Sequence, residues 1–189
     1  MNKTLGNRLM PPFGQEPWSL TEEWQSTIYR GTNRDYLMLI HSVSDLAVFT
    51  EIACCAAGYG RIDIMILLHD RNVPKSVRYF GCAALFGQKR MMFWLKTNNY
   101  PWDAEVLKLA VYHGSPRNIR WLLTNGCEKN PDAYIPAVLN RDIDAMEVLF
   151  SARVRMRRSI CGLAHTTNLT FLEWFISKRG IVSRLLLRE

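Results

Sequence analysis

The chain has little that would place it in a membrane, a secretory route or a metal-dependent enzyme class. A membrane span needs about 18 apolar residues, and the longest strong run here, Ile64 to Leu68, is closed by Asp63 and His69. The opening MNKTLGNRLMPPFG lacks the hydrophobic centre of a signal peptide, so an intracellular, non-secreted protein is expected. Cys54, Cys55, Cys82, Cys127 and Cys161 form no C-x-x-C pair, and His41, His69, His113 and His165 supply no ligand spacing with them. That pattern excludes the common structural zinc sites. There is no Walker loop, dinucleotide fingerprint, zincin motif or kinase set, and His165 beside Thr166 and Thr167 has no activated nucleophile with an orienting carboxylate to work with. Neither a catalytic centre nor a cofactor or metal is expected.

What is present is the composition of a folded protein. Of 189 residues, 48% are hydrophobic and 22% charged, which argues against wholesale disorder and leaves enough length to bury a core. The net charge of +7 is unevenly placed: residues 151–189 hold eight Lys or Arg against Glu173 and Glu189, and so carry six of the seven net positive charges.

The segment GQKRMMFWLKTNNYPWD, residues 87–103, sets four large apolar side chains in a row before a polar kink. It is one copy of a repeat. Steps of 27 residues from Gly60 reach Gly87, Gly114 and Arg141, and a further step of 26 reaches Thr167. Four and three residues before each origin stand Ala56-Ala57, Ala83-Ala84, Ala110-Val111, Ala137-Val138 and Leu163-Ala164; five after it come Met65, Met92, Ile119, Met146 and Leu172. Seven and eight after it come Leu67-Leu68, Trp94-Leu95, Trp121-Leu122, Val148-Leu149 and Trp174-Phe175. Apolar positions three and four apart share a helix face, so each origin is followed by a helix of about ten residues, helix B.

The stretch before the origin, such as Val77 to Phe86, predicts a second short helix, helix A, with small residues that admit close neighbours and a glycine that ends it. Asn, Gly and Pro after helix B stop it and turn the chain. One such pair cannot bury its apolar face alone, so the pairs must stack. Met91, Met92, Phe93 and Trp94 are then expected to be interior.

CAALFGQKRMMFWLKTNNYPWD and the copy after it resemble the short ankyrin-like repeats of the form A-A-x-x-G-H-L-E-x-L-K-W-L-x-x-N-G-C-P-W-D found in large DNA viruses and some amoebae. The matching residues are Ala83, Ala84, Gly87, Trp94, Leu95, Asn98, Pro101, Trp102 and Asp103, then Ala110, Gly114, Trp121, Leu122, Asn125, Gly126 and Cys127. The likeness covers roughly residues 51–176. It implies an all-α, ankyrin-like solenoid of five to six helix pairs, with short loops because 27 residues leave little room for the β-hairpin of longer ankyrin repeats. It also implies a non-catalytic scaffold or adaptor that binds a protein partner, in a host cell or a virion. An F-box, which some viral members carry, is not evident.

Expected divisions are an arm over 1–18, a cap or worn repeat over 19–50, repeats over 51–179 and a C-terminal cap over 180–189. Ser19-Leu20-Thr21-Glu22 has capping-box spacing, so a helix is expected to start there, and Leu37 to Ile40 is expected in helix B of the worn repeat. Two surfaces are candidates for binding. Tyr59, Phe86, Tyr112 and His113 stand just before the origins, with Trp102 in the turn, and large rigid side chains give contact area at low entropic cost; packing between repeats is the other use for them. Arg153, Arg155, Arg157 and Arg158 follow the fourth helix B, where alternation along an extended segment would splay their charges toward a protein or nucleic-acid polyanion. A second functional expectation follows from them: a structural part of an assembly, held through the N-terminal arm and the basic end.

Overall fold

Gly60, Gly87 and Gly114 have φ of 75°, 69° and 76°, and Arg141, at the same step, has 55°. A second set at the same spacing, Asn72, Asn99, Gly126 and Arg153, has φ of 58°, 54°, 86° and 56°. The left-handed conformation ends a helix by turning its last carbonyls toward the following N–H groups. The computed structural model describes residues 19–157, 159–160, 173–174 and 176–178, leaving out the side chain of residue 33, and in these the two sets of turns close the helices in pairs.

Among the described residues the elements are all helical: α1 Glu22–Arg30, α2 Asn33–Ser42, α3 Leu46–Tyr59, α4 Ile62–Asp70, α5 Val77–Leu85, α6 Lys89–Thr97, α7 Glu105–His113, α8 Pro116–Thr124, α9 Tyr134–Leu139 and α10 Ile143–Ser151, with a 3-10 turn at Pro131–Ala133 before α9. No helix among these residues is long and apolar enough to cross a membrane. Most of the turns are held by the same backbone bonds; at Gly114 the glycine N–H itself donates to the Ala110 carbonyl at 3.1 Å. Arg61, Gln88 and Asp142 donate to the carbonyls of Ala56, Ala83 and Ala137, all at 2.8 Å. Val73, Tyr100, Cys127 and Val154 donate to Leu68, Leu95, Leu122 and Leu149 at 3.0 to 3.1 Å. These bonds satisfy carbonyls that a helix end would otherwise leave open.

The starts of the A helices repeat too. Ser76 Oγ accepts from the N–H of Arg78 at 3.2 Å, Asp103 Oδ1 from Glu105 at 3.1 Å and Asn130 Oδ1 from Asp132 at 2.9 Å. Short polar side chains do this work at helix entries because they reach N–H groups that have no partner inside the helix.

The described residues fall into two compact units, 19–102 and from 103 onward. In the first, α1 pairs with α2, α3 with α4 and α5 with α6, while α1 packs on α3 and α3 on α5. In the second, α7 pairs with α8 and α9 with α10, while α7 packs on α9 and α8 on α10. Within each unit, then, hairpins lie side by side. The interior is built from the repeating columns: Ala56, Ala57, Ala83 and Ala84 with Met65, Leu68, Met92 and Leu95 in one unit, and Ala110, Val111, Ala137 and Val138 with Ile119, Leu122, Met146 and Leu149 in the other, all fully buried. Burying one of the Val, Ile, Leu or Met side chains among them contributes roughly 1.5–3 kcal/mol.

Three expectations need correction. Phe93 is 63% exposed, because it lies one residue past Met92 and two before Leu95 and so turns to the outer side of a nine-residue helix; Trp94 is half-buried, and only Met91 and Met92 of the four are interior. The first helix does start within Ser19 to Glu22, at Glu22, but its cap is Thr21, whose hydroxyl accepts from the N–H of Trp24 at 3.5 Å, and not Ser19. The reciprocal capping box forms instead at Thr32 and Asp35 before α2. Finally, α3 runs through the expected boundary at residue 50 without a break. Leu37 to Ile40 does lie in the second helix of the first hairpin. The arm over 1–18, the cap over 180–189 and the origin at Thr167 lie outside the described residues.

Candidate functional site

The aromatic residues before the origins sit where the A helices end. Tyr59 is the last residue of α3 and half-buried; its ring lies 5.0 Å from that of Tyr29, and its hydroxyl reaches Gln25 Oε1 at 3.5 Å. Phe86, just after α5, is half-buried. Tyr112 and His113 end α7, the first 5% exposed and therefore a core side chain, the second half-buried. Burial pushes the Tyr112 hydroxyl above its ordinary pKa. Trp102 is half-buried against Phe80 at 4.8 Å, with Lys96 Nζ 4.0 Å over its ring. Tyr59, Phe86 and Trp102 belong to one unit and Tyr112 and His113 to the other. Most of these rings therefore spend much of their area inside their own units.

The basic segment takes the alternating form that its sequence suggested. After Arg153 turns the chain out of α10, Val154 and Met156 are buried while Arg153, Arg155 and Arg157 are exposed. Arg157 forms an ion pair of 2.9 Å with Asp132, an exposed pair of the kind that contributes at most about 1 kcal/mol. Arg158 lies outside the described residues.

Another feature escaped the reading of the columns. The residue six after each origin points outward on helix B, and here the four copies differ: Ile66 and Phe93 are exposed apolar side chains, Arg120 is exposed and Glu147 half-buried. Within the unit 19–102, α4 and α6 meet at their C-terminal ends, where His69 stands edge-on to Trp94 at 6.0 Å and its Nδ1 lies 3.2 Å from the Tyr100 hydroxyl. Burial pushes the Tyr100 hydroxyl up to about 12. The signal for this outer column was available: a position flanked by buried columns but holding Ile, Phe, Arg and Glu in turn is a position the core does not dictate.

The remaining polar clusters work inside the fold. Arg61 donates to the Ile28 carbonyl at the end of α1 at 3.0 Å, pairs with Asp63 at 2.7 Å and lies 4.6 Å over the Tyr36 ring. Arg78 pairs with Glu51 at 2.7 Å, joining α5 to α3. Cys54, Cys55, Cys82 and Cys127 are buried thiols outside any disulfide. A hydrogen bond with Cys54 and burial push the Cys82 thiol well above its usual range, so it stays a protonated packing group. Among the described residues no cluster of His, Cys, Asp and Glu has the arrangement of a metal site. No protein-family model matches the chain, and no curated protein or solved structure is detectably similar to it.

Proposed function

We propose that the chain is a non-catalytic protein-interaction module, a solenoid of short ankyrin-like hairpins that acts as a scaffold or adaptor. The observation that carries this reading is the contrast between columns. The buried positions hold the same residue types from copy to copy, while the outward position on helix B runs through Ile66, Phe93, Arg120 and Glu147. A framework that repeats its core and varies its outer side chains suits recognition, since the surface can be specified without disturbing the fold. The expected outcome is a stoichiometric complex with a protein partner when the full chain is isolated from its native source at moderate salt. Recovery of the chain alone, with crosslinking yielding no reproducible protein neighbour, would remove the reading.

A structural role in an assembly is the second reading, favoured by the splayed Arg153, Arg155 and Arg157. Binding through these side chains to nucleic acid would fall steeply with salt, and substituting all three with Ser would abolish it while leaving a partner held elsewhere in place.

A further inference from the structure

We propose that the outer face of α6, formed by Lys89, Arg90, Phe93 and Lys96, docks an acidic protein segment bearing an apolar side chain that covers the Phe93 ring. The proposal rests on the interaction reading above and assigns it a surface and a partner chemistry. The four residues lie at positions i, i+1, i+4 and i+7 of one helix, hence on one side of it, and Met91, Met92 and Leu95 occupy the buried side. Phe93 is 63% exposed and its ring meets no other aromatic ring among the described residues. Lys89 and Arg90 are exposed and form no ion pair there. Lys96 is steered across the Trp102 ring at 4.0 Å.

Lys96 sits in the last turn of α6, where a cation suits the helix end, but Lys89 and Arg90 do nothing for the helix itself. Its first turn holds two cations and no acid, where acidic side chains are the stabilising choice. A carboxylate-rich partner removes that disadvantage, and an apolar side chain set among the carboxylates takes the phenylalanine ring out of water. Charge complementarity fixes the sign of the partner, and the lone ring fixes its need for an apolar anchor.

The neighbouring helix narrows the class. The exposed Asp70 and Ile66 lie on α4, the helix that meets α6 through His69 and Trp94, while the Asp63 carboxylate is already paired with Arg61. An anionic bilayer broad enough to cover both helices would press on Asp70. A nucleic acid would want several rings on which to stack its bases, and the face offers one. A short acidic peptide lying along α6 avoids both difficulties.

The test uses the full chain and a short dye-labelled peptide of glutamate and aspartate around a central leucine pair, with circular dichroism to confirm that variants fold. Phe93→Ser and the double variant Lys89→Glu with Arg90→Glu should each weaken peptide binding by about tenfold or more, the loss expected of a central contact. The double variant should gain affinity for the same peptide with lysine in place of its acids. Equal binding by wild type and both variants overturns the proposal, as does preferential binding of phosphatidylserine vesicles or an oligothymidine that the same substitutions abolish. The partner isolated from the native source gives a second arm. If the variant that combines Phe93→Ser with Lys89→Glu and Arg90→Glu loses it, the assignment stands; if that variant keeps it, the α6 assignment fails and the interaction reading survives. If the wild type holds no partner, both fall together.

Discussion

Arg141 holds the same left-handed backbone as the three glycines one, two and three steps before it, at φ 55°. An L-residue with a Cβ meets its following carbonyl there at a cost of about 1–2 kcal/mol, so Arg141→Gly should stabilise the chain by about 1 kcal/mol, read as an upward shift of the urea midpoint. Gly60 and Gly126 make a matched pair for the opposite change. A Cβ at Gly126 would meet nothing within 4 Å, whereas one at Gly60 would come 2.6 Å from Gln88 Oε1, and the Gln88 amide donates to the Gly58 carbonyl at 3.0 Å. Gly126→Ala should therefore cost about 1 kcal/mol from backbone strain alone, and Gly60→Ala about 1 kcal/mol more, because the Gln88 bond must also be broken. Equal losses in denaturant titrations would mean that Gln88 moves aside freely.

Titration offers a further check at this scale. The Tyr100 hydroxyl is held neutral by burial to about 12 against an ordinary value of 10.0. A folded-state pKa above the unfolded one contributes stability that is present below pH 10 and is lost as pH rises from there through about 12. Burial raises Tyr36, Tyr79 and Tyr134 in the same direction, so unfolding free energy should fall across this window. Tyr100→Phe should make the fall shallower.

At the scale of the hairpin, the leucine eight residues after each origin joins two jobs. Leu68, Leu95, Leu122 and Leu149 are buried in the helix interface, and their carbonyls receive the bond that closes the turn. The side chain that receives this turn, Val73, Tyr100, Cys127 or Val154, is at least half-buried in each case, the apolar contact that such helix ends commonly carry. Leu122→Ala should cost about 2–5 kcal/mol, the transfer loss plus the cavity left behind. Phe93→Ser, on the outer side of an equivalent helix, should stay within about 0.5 kcal/mol. Chemical denaturation of the two variants separates interior from outer positions; comparable losses would show that the outer face of α6 is held by something in the fold.

Across the whole molecule, charge and repetition have different jobs. The core repeats, while the surface charge does not: α6 presents Lys89, Arg90 and Lys96, the segment after α10 presents Arg153, Arg155 and Arg157, and α4 presents Asp70. The acidic-segment proposal involves few charges, so its complex should weaken only modestly as salt rises. A nucleic acid making six to ten phosphate contacts would lose roughly a thousandfold or more between about 50 and 200 mM salt. A measured slope of the second kind for the native partner would favour the basic segment over α6.

The period was legible in the amino-acid order alone, because a helix face repeats its apolar spacing and a hairpin repeats its length: the steps through Gly60, Gly87, Gly114 and Arg141 located eight of the ten helices delimited among the described residues. So was the alternation of Arg153, Arg155 and Arg157, since an extended chain turns successive side chains to opposite sides. The tertiary structure decided which side of each helix meets a neighbour. It placed Phe93 outside although Met91, Met92, Phe93 and Trp94 read as one apolar run, and it buried Tyr112 among core side chains although its type suited a binding strip. It also made Thr21 the cap where Ser19 had equal claim. Composition and spacing say that a side chain can be buried or can cap a helix; only the packed neighbours determine which of the candidates is the one that does.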